Sequence, residues 1–211
     1  MIPLNATNGT VFTIGHSNHD LGDFLTVLVN HHVKTLCDVR SRPGSVRFPQ
    51  FNREPLEALL SPAGLRYEFL GEALGGRPAD PRAYHPDGLV DYAARRKSPE
   101  FAAGIDQLLQ LLRDTNIVLM CAEEDPLQCH RFLMICPALL ERGVVPAHIR
   151  RGGILESQRD AEDRLLELHG RTAFATGSLF VSERDPAIEE ALQLQAKEFA
   201  FRASPEAIEY F

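Results

Sequence analysis

The chain alternates short β-rich runs with amphipathic helical segments as far as about residue 150. Branched and aromatic residues predict five strands, at residues 10–14, 33–39, 65–70, 116–121 and 144–149. Apolar residues at helical spacing predict helices between them. Such alternation is typical of a parallel sheet with helices packed on it. We therefore predict an α/β fold with a mainly parallel five-strand sheet, helices on both faces and a C-terminal helical extension.

Capping residues predict where the helices begin. Asp20 is placed to cap a helix that runs to about residue 30, and Ser98 to cap one that Pro99 opens. Asp125 and Pro126 predict a third start, with a kink at Pro137 before the helix ends near residue 143. Residues 71–97 are rich in Gly and Pro and are interpreted as a long functional loop.

Beyond residue 150 the alternation stops. Two polar amphipathic helices, near residues 157–169 and 186–199, flank the sequence FATGSLFV. We divide the chain into an α/β domain, residues 1–150, and an extension, residues 151–211. The extension is expected to pack on the domain or on a partner, so a homodimer is one possibility.

Charge argues against nucleic acid as a partner for the whole molecule. The chain has 29 acidic and 22 basic residues, a net charge of −7. Residues 40–53, however, carry four arginines and no acid, with Phe48 and Phe51 between them. This run is either a solvated loop or a surface that binds nucleic acid.

No apolar run reaches the roughly 20 residues that span a bilayer, and the first ten residues do not resemble a signal peptide. We expect no membrane contact and a cytoplasmic protein. In a reducing compartment the four cysteines, Cys37, Cys121, Cys129 and Cys136, should be free thiols or metal ligands.

Polar residues follow the predicted strands at their carboxyl ends. In parallel sheets ligands bind beyond these ends, so the groups should share one edge. They are Gly15, His16 and Ser17 after the first strand, Asp38, Arg40 and Arg42 after the second, Cys121 and Glu123 after the fourth, and His148 in the fifth.

Four blocks give the chain a family resemblance: FTIGHSNHDLGDFLTVL, LCDVRSRPGSVRFPQFN, LRYEFLGEALGGRP and LMCAEEDPLQCHRFLM. Together they resemble the DUF488 family of bacterial and archaeal proteins, over roughly residues 10–149. The resemblance implies that the GHS turn, the DVR loop and the CAE…CHR loop are shared family features. It implies no reaction, and residues after 150 lie outside it.

Cys121 has three interpretations: a catalytic thiol, a core residue or a metal ligand. A helix N-terminus and nearby cations would favour a thiolate, whereas Glu123 and Glu124 would oppose it. In the catalytic interpretation His130 is its base and Arg131 binds an oxyanion or phosphate.

Cys129 is assigned to the core, because it begins a helical series with Leu133, Cys136 and Leu140. Adjacent residues on a helix project about 100° apart, which disfavours a zinc site containing both Cys129 and His130. We assign no metal site and identify no cofactor.

Asp38 is either a functional carboxylate or a cap that orders the arginine loop. Ser17 and the GHS turn could hold an anion, although the turn matches no phosphate-binding motif. Gly75, Gly76 and Arg77 are interpreted as a flap or a surface turn.

The preferred function is an enzyme, a hydrolase or transferase, that acts on an anionic, phosphate-bearing or nucleotide-like small molecule. Cys121, His130, Glu123, Asp38 and His16 are its expected catalytic residues. Expected substrate-binding residues are Ser17, Arg40, Arg42 and Arg131. The alternatives are a protein that binds or processes nucleic acid through residues 40–53 and a regulatory or interaction protein without activity.

Overall fold

A computed structural model describes residues 9–113, 115–172 and 181–204, and for residues 181–183 only the backbone. It contains one six-stranded sheet in the order β3-β2-β4-β1-β5-β6. The strands are β1 (Val11–Gly15), β2 (Val33–Asp38), β3 (Arg66–Phe69), β4 (Asn116–Cys121), β5 (Ala147–Ile149) and β6 (Leu155–Ser157). Every pairing is parallel except that of β5 with β6.

The α/β class and the mainly parallel sheet are confirmed, but the number of strands is six and not five. The additional strand, β6, lies in the segment that was assigned to the helical extension. It has only three residues, two of them exposed. A strand that short has no alternating apolar pattern for a sequence to show.

Eight α-helices lie in the described residues: α1 (Leu21–Asn30), α2 (Arg53–Leu60), α3 (Gly71–Leu74), α4 (Tyr92–Arg96), α5 (Pro99–Leu112), α6 (Cys136–Glu141), α7 (Gln158–Leu168) and α8 (Val181–Phe199). Two predicted caps are confirmed. The Asp20 carboxylate accepts from the first turn of α1, and the Ser98 hydroxyl accepts from the backbone N–H of Phe101.

Strand residues alternate between two apolar cores, one on each face of the sheet. In β4, Val118 and Met120 pack with α1 and α2, whereas Ile117 and Leu119 pack with α5 and α6. Buried residues of α7 and α8 belong to the second core. Helices therefore cover both faces, as predicted.

Residues 71–97 are not one long loop, contrary to the sequence-based interpretation. They contain α3, a 3₁₀ turn at Pro81–Ala83 and α4. Asp91 caps α4 by accepting from the backbone N–H of Ala94. Four- and five-residue helices do not complete the periodic pattern that reveals longer ones.

The segment after β4 also differs from the prediction. Asp125 caps Pro126–Gln128, but that element is a 3₁₀ turn, and the chain becomes extended at Cys129 (φ −137°, ψ 142°). A π-helical stretch, Arg131–Ile135, then leads into α6, with Pro137 in its first turn. Proline lacks the N–H that a continuous α-helix needs, which is consistent with a break before it.

No described helix is both long enough and apolar enough to cross a bilayer. Seven of the eight residues of FATGSLFV lie outside the described residues.

Candidate functional site

A pocket of about 540 Å³ opens at the carboxyl edge of the sheet. Register places the strand ends together here, since Gly15 of β1 pairs with Cys121 of β4 and Asp38 of β2 pairs with Met120. Of the nine predicted site residues, His16, Arg40, Arg42, Cys121, Glu123 and His130 line the pocket. Asp38, Ser17 and Arg131 do not.

Three exposed arginines, Arg42, Arg47 and Arg77, line this pocket. None forms an ion pair with a carboxylate of the described residues. The Arg47 guanidinium lies 5.3 Å from the Phe48 ring centre, and that of Arg77 lies 4.5 Å from the ring centre of Phe201. These cations are available to an anionic ligand.

Arg40, unlike these three arginines, forms an ion pair with a carboxylate in the described part of the chain. Its Nε donates to Asp38 Oδ1 at 2.9 Å, and its Nη2 donates to Asp38 Oδ2 at 2.5 Å and to the Phe51 carbonyl at 2.8 Å. The Tyr67 hydroxyl donates to the same carboxylate at 2.8 Å. Asp38 is fully buried. Asp38 and Arg40 therefore hold the arginine loop on the sheet, the second of the two roles considered for Asp38.

His16 is buried against Phe51, with ring centres 4.6 Å apart and the rings stacked. Its Nδ1 lies 3.0 Å from the Ser17 carbonyl and its Nε2 lies 3.2 Å from Arg40 Nη1. Burial lowers the pKa of His16 to about 4. The neutral ring donates through Nδ1 and accepts from Arg40 through Nε2, so no lone pair is left for a proton from a substrate.

The GHS turn does not form the anion cradle that was considered. The backbone N–H of His16 donates to the Cys121 carbonyl and that of Ser17 to the Ala122 carbonyl, both at 2.8 Å. Ser17 has a φ of 42°. The turn connects β1 to the loop after β4, and those two amides are not available to an anion.

Arg131 also has a local role. It is 1% exposed and donates to the carbonyls of Glu123 at 2.6 Å and Glu124 at 2.8 Å. These bonds fix the loop that carries Glu123. The guanidinium does not line the pocket, and both of its terminal nitrogens are bonded to these carbonyls, so its position does not suit an oxyanion of the substrate.

The floor of the pocket is a cluster of Cys121, Cys129 and His130, whose donor atoms all lie within 4.8 Å of one another. His130 Nδ1 is 3.6 Å from Cys121 Sγ and 3.7 Å from Cys129 Sγ. On the other side of the ring, Nε2 lies 2.9 Å from the Val39 carbonyl. The Cys121 thiol is also 3.1 Å from Glu123 Oε2.

The surroundings of the two thiols differ. The neighbouring Cys129 sulfur and then burial raise the pKa of Cys121. Burial opposes ionisation of Cys129 too, but the hydrogen bond from Cys121 and the charges of Arg131 and His130 bring its pKa below that of a free thiol. Partial desolvation of its carboxylate also raises the pKa of Glu123, although the residue is exposed. The pKa values of the two thiols are therefore shifted in opposite directions.

Sequence reasoning missed three residues of the site: Cys129, Arg47 and Arg77. Cys129 is buried as predicted, but it faces His130 and not only the core, because the backbone is extended at this position. Arg47 was noted only as part of the arginine run and Arg77 only in a flap. The sequence contained one signal against a continuous helix through Cys129. Pro137 predicted a break in the helix that was expected to begin at Asp125.

The chain was compared with known proteins. No curated protein and no solved structure matches it significantly. One family model, described as a domain of unknown function, DUF488, matches residues 20–135, which is more than half of the chain. The match contains three of the four sequence blocks in full and part of the first. The chain belongs to the DUF488 family.

Proposed function

We propose that this protein is an enzyme that acts on a small phosphate- or carboxylate-bearing molecule bound in the pocket. One observation carries the proposal. Three arginines without carboxylate partners among the described residues line the same pocket as two thiols and an imidazole. Binding groups for an anion and reactive groups thus share one space at the ligand-binding edge of a parallel sheet.

The three exposed arginines bind the anionic group of the substrate. A guanidinium donates parallel hydrogen bonds that match carboxylate and phosphate oxygens. Arg42, Arg47 and Arg77 retain this capacity although the chain carries an excess of acidic residues. Arg40 lines the pocket as well, but most of its donors are bonded to Asp38 and Phe51.

The cluster of Cys121, Cys129 and His130 carries the reactive groups. Thiols and an imidazole are nucleophiles, proton carriers and metal ligands, and Glu123 adds a carboxylate beside Cys121. Cys121, Cys129, His130 and Glu123 are therefore our candidate catalytic residues. His16 and Asp38 become positioning residues, because each contacts Arg40 and neither offers a free base to the pocket.

The geometry supports nucleic-acid binding less well. The proposed stacking surface needs Phe48 and Phe51 exposed, but Phe51 is fully buried between His16 and Phe24. Phe48 is half-buried, with its ring edge-on to His16. No pair of exposed rings is left in residues 40–53 to stack on bases.

The test is a binding screen with phosphorylated and carboxylated metabolites, read by thermal shift and then by calorimetry. Charge-assisted hydrogen bonds contribute roughly 1.5 to 3 kcal/mol each, so the Arg42→Ala/Arg77→Ala double variant should bind a hit at least about tenfold more weakly. Arg142→Ala is the control, since Arg142 is half-buried, pairs with Asp106 and does not line the pocket. Equal binding by the double variant, or no anionic hit, would overturn the proposal.

A further inference from the structure

We propose that Cys121, Cys129 and His130 bind one divalent transition-metal ion of the zinc type, through the two Sγ atoms and Nδ1, with a fourth position open to the pocket. This assignment goes beyond the proposed function, because binding of the ion requires no substrate.

Distances within the cluster fit such an ion. Zinc bonds of about 2.3 Å to sulfur and 2.0 to 2.1 Å to nitrogen, at tetrahedral angles, separate a sulfur from a nitrogen ligand by about 3.6 Å. The observed separations from His130 Nδ1 are 3.6 Å to Cys121 Sγ and 3.7 Å to Cys129 Sγ. The two sulfurs lie within the 4.8 Å limit that encloses all three donors, against an ideal of about 3.8 Å. An ion could enter with little rearrangement.

The histidine presents the correct nitrogen. Nε2 of His130 is 2.9 Å from the Val39 carbonyl, which has no proton to give, so Nε2 carries the hydrogen and donates it. In the neutral ring this leaves the Nδ1 lone pair directed at the two sulfurs. Metal-binding histidines almost always have this second hydrogen bond, which fixes the tautomer and the plane of the ring.

The backbone holds the three ligands in place. Cys121 ends β4, and its carbonyl accepts from the backbone N–H of His16. Cys129 is extended between a 3₁₀ turn and a π-helical stretch, so it and His130 do not project as neighbours on a helix. Gly76 packs on the imidazole: a Cβ there would lie 2.9 Å from His130 Cγ.

The chemical type of the ligand atoms determines which class of metal ion binds. Thiolate and imidazole together favour zinc over magnesium or calcium, which prefer oxygen ligands. Binding requires both sulfurs as thiolates and a neutral imidazole, so protons held by the cluster are released to solvent. Three protein ligands and one open position are the arrangement of catalytic zinc sites, whereas structural sites have four protein ligands.

The assignment of the open coordination position to substrate binding rests on the proposed function. It faces the pocket that Arg42, Arg47 and Arg77 line, so an anion held by the arginines would lie next to the ion. Glu123 Oε2 lies 3.1 Å from Cys121 Sγ, but Glu123 does not belong to the group of three mutually close donors.

The experiment uses the full chain, reduced, treated with a chelator and then titrated with Zn²⁺ or Co²⁺. Native mass spectrometry gives the stoichiometry, and Co²⁺ bound to thiolate adds a sulfur-to-metal charge-transfer absorption. Cys121→Ser, Cys129→Ser and His130→Ala are compared with Cys37→Ala and Cys136→Ala. The last two remove buried cysteines that do not line the pocket.

We expect one ion per chain and the charge-transfer band in the wild type and in both controls. Each ligand variant should bind at least about tenfold more weakly, since even outer-shell changes cost 10- to 100-fold. Circular dichroism shows which variants are folded. The wild-type result decides by itself: no bound ion, or Co²⁺ bound without the band, overturns the assignment. Anion binding by chelator-treated protein is measured separately, so either proposal can fail while the other stands.

Discussion

Arg40 and Asp38 form a bidentate ion pair in which both side chains are buried. The pair joins the arginine loop to the end of β2 and leaves the neighbouring Arg42 exposed to the pocket. It explains why two residues of one short motif, DVRSR, have different roles. Asp38 neutralises a buried guanidinium, and the second arginine of the motif remains available.

Replacing Asp38 with asparagine should therefore reduce stability. The change leaves the buried Arg40 charge without its partner, which typically costs roughly 3 to 5 kcal/mol. Urea unfolding measures the loss. Asp106→Asn is the matched control, because its pair with Arg142 is largely exposed and should contribute about 1 kcal/mol or less. Similar losses for the two variants would contradict the role given to Asp38.

Arg131 is expected to matter for stability and not for anion binding. In Arg131→Met the carbonyls of Glu123 and Glu124 lose their donors, and the loss of two partly buried, charge-assisted hydrogen bonds should cost about 2 to 4 kcal/mol in total. Arg82→Met, at an exposed pair, should change the free energy of unfolding little. Folded Arg131→Met should bind the anionic ligand nearly as the wild type does. A large loss of affinity at unchanged stability would return Arg131 to the binding site.

A substitution at Gly15 tests the close contact between β1 and the loop after β4. A Cβ at this position would lie 1.7 Å from the Glu123 carbonyl oxygen, so the backbone must move to admit one. We expect Gly15→Ala to cost about 3 kcal/mol in urea unfolding, the upper part of the usual range for overpacking. At Gly44 the nearest atom to an added Cβ is 3.9 Å away, and Gly44→Ala should be close to neutral. A neutral Gly15→Ala would disprove this contact.

His148 should make stability depend on pH. Its Nδ1 lies 2.9 Å from the Thr13 hydroxyl and its Nε2 lies 3.1 Å from Gln158 Oε1. Burial lowers its pKa from 6.5 to about 4. The unfolded chain therefore binds a proton that the folded protein does not bind between these values, and stability falls as pH falls from 6.5 to 4.

The shift corresponds to about 3 kcal/mol over that interval. His148→Gln removes the titrating group, so its unfolding free energy should decline less steeply than that of the wild type. Urea unfolding from pH 7.5 to 4.5 gives both slopes. Parallel curves would show that His148 does not titrate as its burial requires.

The sequence predicted the framework of the fold because the framework is periodic. The four longer strands, β1 to β4, and α5 have apolar patterns that continue long enough to identify, and Asp20 and Ser98 mark helix starts directly. The three-residue β5 lies within the longer apolar segment predicted at residues 144–149. It also predicted that the strand ends would collect polar groups, since register follows from parallel pairing. Short elements such as α4 and β6 were missed because their patterns end too soon.

Side-chain partners could not be predicted in the same way. His16, Asp38 and Arg131 are the residue types expected in a catalytic site, but their roles depend on neighbours such as Phe51, Tyr67 and the Glu123 carbonyl. These contacts arise between segments far apart in the sequence, and no local pattern specifies them. Cys129 lies in the core as predicted, but the extended backbone at this residue also brings its sulfur to Cys121 and His130, which the sequence did not show.

The central claim is that the arginines and the cysteine cluster form one site, and alkylation tests it most directly. Iodoacetate is an anion and iodoacetamide is neutral, so the ratio of their rates at one cysteine reports the local charge independently of its accessibility. The rates at Cys121 and Cys129 are measured by peptide mass spectrometry in the presence of a chelator, which removes any metal. Cys37 and Cys136, buried outside the pocket, should stay unreactive in the folded protein.

We predict a ratio of iodoacetate to iodoacetamide rates several-fold higher at these two cysteines than in an unstructured cysteine peptide. In the Arg42→Ala/Arg77→Ala variant, which keeps Arg47, the ratio should fall most of the way toward the peptide value. In Arg142→Ala it should be unchanged. A wild-type ratio equal to that of the peptide, or one that is insensitive to the loss of Arg42 and Arg77, would contradict a shared site for anion binding and chemistry.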